Sequence, residues 1–109
     1  MPRVIVTFEL KEEAVEGFKQ ILQRSTPKTL ADKGCLCAGM YQDAQHPTKF
    51  RCIEDWETYE DMMNHINAPK DPNDPDDAFP YIQANMIGKD EFQYFNEFVV
   101  MHKGDAPAR

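Results

Sequence analysis

The chain has no long apolar run, no surplus of basic charge and no paired set of cysteines. Each lack narrows what it can be. Its uninterrupted apolar stretches reach only the length of residues 98–101, far short of the roughly 18 to 20 residues that a membrane helix needs, so no membrane partner is expected. Acidic residues outnumber Lys and Arg by 19 to 12, a formal charge of −7. Nucleic-acid binding depends on clustered cations that displace counterions from phosphates, so no nucleic-acid partner is expected either. Three cysteines are an odd number, and Met1-Pro2-Arg3 leads straight into a strand-like segment without the ordered regions of a signal peptide. Reduced thiols, serving as small core residues, and a cytoplasmic location are the expectation.

A chain of 109 residues with 41% hydrophobic content suits one core rather than two. Residues 1–103 are expected to form that single domain and residues 104–109 a disordered tail. Val4, Val6, Phe8 and Leu10 alternate with Arg3, Ile5, Thr7 and Glu9, the period of a strand buried on one face. Residues 12–24 carry Ala14, Val15, Phe18, Ile21 and Leu22 at helical spacing. Pro27 either ends that helix or opens a further turn, and Gly34 closes it. Residues 35–42 and 49–56 read as a hairpin around the polar turn 43–48, with Gly39 marking a bulge or a close backbone approach. Thr58 and Asp61 resemble a capping box ahead of a second helix with the stripe Tyr59, Met62, Met63 and Ile66.

Residues 70–80 hold three prolines among aspartates and are expected to be a solvated loop or lid. The run Asp71, Asp74, Asp76, Asp77 lacks the glycine and terminal glutamate of a calcium loop, so no metal is expected there. A short helical turn is expected at 81–87, and the last strand at 92–101, with Tyr94, Asn96, Phe98 and Val100 facing one way. The order strand, helix, strand, strand, helix, strand is the split βαβ pattern: an α+β, ferredoxin-like βαββαβ fold with a four-stranded antiparallel sheet and its helices on one face. Large apolar residues fall on both faces of the third and fourth strands, so a second copy is expected to cover the face opposite the helices.

Gly34-Cys35 opening the second strand, Glu54-Asp55-Trp56 ending the third, and His65 in the second helix together resemble the antibiotic biosynthesis monooxygenase family, over roughly residues 4–101. The resemblance implies a dimeric α+β barrel with one ligand cavity per subunit near Trp56 and His65. It implies oxygenation of a small aromatic of quinol or phenol type without metal or flavin. Oxygenases of the family are expected to carry a polar amide four residues before the Trp, where this chain has Cys52. The haem-degrading branch needs an Asn where the first strand has Thr7, and a second tryptophan, whereas Trp56 is the only one here.

On this reading His65 and Glu54 are the candidate catalytic groups, and Trp56, Cys52, Thr7, Met62 and Phe98 the candidate substrate contacts. Each has a plainer reading beside it. Trp56 either walls a planar substrate or anchors the core. Glu54 either acts as a base or pairs with Arg51 or Lys49. His65 either moves a proton near neutral pH or is a hydrogen-bonded structural histidine. Cys35 and Cys37 would share a strand face, with Cys52 nearby, and lack the four-ligand set of structural zinc. Met62 is an adaptable wall or core residue. A domain that binds a small molecule without turnover, or only dimerises, is the competing function. In the latter case Phe50, Met62 and Phe98 would fill the cavity.

Overall fold

The computed structural model describes residues 1–107. The elements run β1 (Pro2–Leu10), a 3₁₀ turn (Glu12–Ala14) leading into α1 (Val15–Ala31), β2 (Cys35–Gln42), β3 (Lys49–Trp56), α2 (Tyr59–Asn67), α3 (Ala78–Asn85) and β4 (Met86–Asn96). All strand pairs are antiparallel and the sheet order is β2-β3-β1-β4. This is the expected ferredoxin-like α+β arrangement, with a third helix added before the last strand. No helix among the described residues is long and apolar enough to cross a membrane.

Strand alternation sorts the sheet into two faces. Val4, Val6 and Phe8 of β1 lie opposite Glu54, Cys52 and Phe50 of β3, and this face receives the helices. Two buried clusters stand on it. Phe8, Leu10, Phe50, Ala14 and Phe18 form one, closed by Tyr81 and Ile82 of α3. Val4, Trp56 and Met62 form the other, with Ile66 of α2 and Phe92 of β4. Val6 packs against both.

Local chemistry accounts for the boundaries. Thr58 caps α2 by accepting the backbone N–H of Asp61 (3.1 Å). Gly34 has φ +82°, and a Cβ there would collide with Asp61. The turn before β2 therefore needs glycine both for its conformation and for the close approach of α2. Gly39 likewise lies close to the Tyr41 ring, whereas the bulge in β2 falls between Cys35 and Cys37.

Several expectations give way to tertiary structure. Helix α1 neither stops nor restarts at Pro27 but continues through it to Ala31. Pro27 and Gln23, whose carbonyl loses its donor, lie on the exposed side, where water can take the missing hydrogen bond. The loop after α2 ends at Asp77, which caps α3 by accepting the Phe79 N–H (3.0 Å). Pro80 falls in the first turn of that helix, where its missing N–H had no intrahelical partner to lose.

Strand β4 begins at Met86 and ends at Asn96, opposite Pro2, rather than spanning 92–101. Its partner runs out there: the Glu97 N–H donates to the Met1 carbonyl (3.1 Å), and Phe98 lies beyond the sheet, 98% exposed. Gly88, with φ +71°, sits inside β4 where the register with β1 shifts between Thr7 and Glu9, so it makes a bulge instead of breaking the strand. Of the expected tail, Gly104 and Asp105 belong to a 3₁₀ turn at Lys103–Asp105, and residues 108 and 109 lie outside the described residues.

Candidate functional site

A cleft of about 290 Å³ opens on the helix side of the sheet, over Val4, Val6 and Phe8. Met40, Cys52, Glu54 and Phe92 complete its floor, and Leu22, Ile66 and Ile82 contribute apolar wall. Phe50 and Met62 are packed in the clusters on either side, so side chains do not fill the space as a purely structural domain would require.

The acid-rich loop forms the outer wall. It does not hang free in solvent: Arg24 Nε on α1 pairs with Asp76 (2.9 Å), and Lys28 Nζ lies 3.6 Å from Asp74 and 3.5 Å from Asp76. The two carboxylates are thus engaged with cations of the chain itself. Lys70 completes the rim, with its ammonium 6.0 Å from the centre of the Phe79 ring and a hydrogen bond to the His65 carbonyl (3.3 Å).

One end of the cleft is polar. Glu54 points into it because it is an even-numbered residue of β3, on the same face as Cys52 and Trp56. Both carboxylate oxygens accept hydrogen bonds, Oε1 from the Trp56 indole N–H (3.3 Å) and Oε2 from the Cys52 thiol (3.4 Å). Its partners are these and His65, whose Nε2 lies 3.8 Å from Oε1. Arg51 and Lys49 are odd-numbered and point to the other face. The expected pairing of Glu54 with either is therefore ruled out by strand geometry.

His65 extends from the second half of α2. Its Nδ1 is hydrogen bonded to Asp32 Oδ2 at 2.5 Å, and its ring lies against the Trp56 indole with centroids 4.9 Å apart. The histidine side chain is 19% exposed and the Glu54 side chain 12%, so both reach the cleft while remaining mostly shielded. Burial, followed by the charge of Glu54 and the hydrogen bond to it, pushes the Cys52 thiol well above the ordinary thiol range. Cys52 is accordingly a neutral donor here, not a nucleophile.

Three of the expected site residues, His65, Glu54 and Cys52, meet at the cleft. Trp56 is fully buried beneath them: it anchors the core, and its N–H goes to the Glu54 carboxylate instead of a backbone carbonyl. Met62 is buried behind Trp56 and does not line the cleft. Thr7 belongs to the opposite sheet face, paired with Arg51. Phe98 lies past the end of β4. Nor do Cys35 and Cys37 share a face, because the bulge between them turns Cys35 toward the Trp56 cluster and leaves Cys37 exposed beside Asp55. Burial, then the Glu54 charge, pushes the Cys35 thiol up to about 11.

Asp32 was not among the expected site residues. It follows α1 in a turn, 33 residues from His65, and no short-range spacing connects the two.

A family model described as antibiotic biosynthesis monooxygenase matches residues 1–70. No curated protein matches the chain in sequence. Among solved structures, a conserved protein of Methanosarcina mazei superposes with a TM-score of 0.75 at 22% identity, over 89% of this chain and 92% of its own. A candidate antibiotic biosynthesis monooxygenase of Deinococcus radiodurans gives 0.76 at 17% identity, over 94% and 97%. One of Nitrosomonas europaea gives 0.75 at 18% identity, over 91% and 100%. At these identities the structural likeness establishes the fold alone.

Proposed function

The chain belongs to the antibiotic biosynthesis monooxygenase family, and from that premise we propose that it oxygenates a small phenol or hydroquinone without a cofactor, using His65 as base. The observation that carries this reading is the pairing of His65 and Glu54 at the end of an apolar cleft, their nearest atoms 3.8 Å apart, too far for a direct hydrogen bond.

In this reading the substrate ring lies over Val6 and Phe92 with its hydroxyl toward His65. Nε2 takes the phenolic proton, and the Glu54 carboxylate stabilises the imidazolium that results. The electron-rich anion passes one electron to O₂, the radical pair closes a carbon–oxygen bond at a ring carbon that carries hydrogen, and the His65 imidazolium returns its proton to the peroxide oxygen. Loss of water from the hydroperoxide leaves a quinone, so one oxygen atom enters the product and the other leaves as water. The substrate itself supplies the electrons. The apolar floor of Val6 and Phe92 favours this course by shielding one face of the anion from water.

The test is oxygen uptake by metal-stripped protein with naphthols and hydroquinones. Turnover is expected in the wild type and a loss of about 10²- to 10⁴-fold in His65→Ala, the usual worth of a general base, with a smaller loss in Glu54→Gln. Uptake no greater than autoxidation, together with saturable quenching of Trp56 fluorescence by the same compounds, would replace this reading with binding without turnover.

The opposite sheet face supports the homodimer reading. Tyr41, Ile87 and Phe95 are exposed there, alongside half-buried Ile5 and Ile53, an apolar surface that a second copy would cover. Light scattering is expected to return twice the 12.6 kDa chain mass, and a monomer at micromolar concentration would refute it.

A further inference from the structure

We infer that Asp32 is a positioning residue that holds His65 with its proton on Nδ1 and its Nε2 lone pair facing Glu54 and the cleft. The inference rests on the reading of His65 as the base, and it concerns a residue with no part in that reading so far.

The geometry comes from three directions. Asp32 Oδ2 accepts the Nδ1 proton at 2.5 Å, and a carboxylate at Nδ1 fixes which nitrogen keeps the proton. The turn that carries Asp32 is itself pinned. The Asp32 N–H donates to the Thr29 carbonyl (3.1 Å), the Cys35 N–H to the Asp32 carbonyl (3.1 Å), and the Glu57 N–H to the Gly34 carbonyl (2.7 Å). Gly34 then seats against Asp61 of α2, the helix that presents His65. Carboxylate and imidazole are thus mounted on two segments locked together by backbone contacts, and Trp56 bounds the ring plane from below.

Without Asp32 the neutral ring would be free to carry its proton on Nε2, where the negative charge of Glu54, 3.8 Å away, favours it. That tautomer has no lone pair toward a substrate hydroxyl. With Asp32 in place, Nε2 is the acceptor, and the imidazolium formed on proton transfer lies between two carboxylates. Asp32 touches no reacting atom and acts only through His65.

The experiment reads the tautomer directly, from long-range ¹H–¹⁵N correlations of the labelled protein at alkaline pH. His65 is separated from His46 and His102 by the signals lost in His65→Asn. The wild type is expected to show a protonated Nδ1 and an unprotonated Nε2. Asp32→Asn, whose amide can donate to Nδ1, is expected to move the proton to Nε2, and Asp32→Glu to restore the wild-type pattern in part. In oxygen uptake, Asp32→Asn is expected to lower kcat about 10- to 100-fold, less than the loss of the base itself, with little change in KM.

The same His65 tautomer in wild type and Asp32→Asn would overturn the inference, whatever the activity. A tautomer that moves on substitution, in a protein that turns over no aromatic compound, would uphold Asp32 as the positioning group and remove the oxygenase reading alone.

Discussion

The two halves of the core stand on one sheet face and are built by opposite means. At the α1 and α3 end, Phe8, Phe18 and Phe50 pack edge to face and stacked, with centroids 5.2 to 5.8 Å apart, and the Tyr81 hydroxyl donates to the Ala14 carbonyl (2.7 Å). At the α2 end a tryptophan of comparable burial supports Glu54, Cys52 and His65. Aromatic packing is non-directional in its main term and tolerates small adjustments. A buried polar network has defined directions and loses most when one member is removed. One half secures the fold, and the other uses that security to hold polar groups at a cleft.

The comparison is broken most sharply by Phe18→Ala. The ring is 1% exposed and touches both other phenylalanines, so its loss is expected to cost about 3 to 5 kcal/mol in urea unfolding. In the fraction that remains folded, the His65 ring signals are expected to stay in place, because that cluster lies at the other end of the sheet. Movement of those signals would mean that the two halves are coupled and not merely adjacent.

A gentler test sharpens the polar half through pH. An unfolded cysteine ionises near 9.0, and Cys52 in the fold ionises well above that. The sign follows from linkage: the raised folded value favours the neutral thiol, so its contribution is fully present below about pH 9 and is lost as pH rises beyond it. The urea midpoint is expected to fall from about pH 8 to about pH 10, and to fall less steeply in Cys52→Ala, with Cys35 leaving a residual slope of the same sign. Equal slopes in the two proteins would show that the thiol is not held as the Glu54 contact implies.

The contrast between the halves also explains what could be read from the chain. Strands β1, β2 and β3 and helix α2 lie where alternation, turn residues and a threonine cap agree with one another, and the expected bounds of β2 and β3 coincide with those observed. Local rules failed where a distant partner decides. Pro27 is carried within α1 because it falls on the exposed side. The end of β4 is set by where β1 begins, which no pattern inside residues 92–101 can reveal. His65, Glu54 and Cys52 were singled out by the family resemblance, and the alternation of β3 agrees with it in setting Glu54 and Cys52 on the face of Trp56. Asp32 was not, since it joins them through a turn whose position depends on packing against α2. Phe98 failed with the strand that was to carry it.

One consequence attaches to the ion pairs that hold the acid-rich loop. The sheet side of the cleft is also core, so a substitution there alters stability and shape together. The loop side is fastened by exposed pairs of Arg24 and Lys28 with Asp74 and Asp76, each worth at most about 1 kcal/mol. Its sequence can therefore drift at little cost to folding, and every change it accepts remodels the mouth of the cleft. The shape of the mouth and the stability of the core thus reside on separate segments, so that one can be altered without the other.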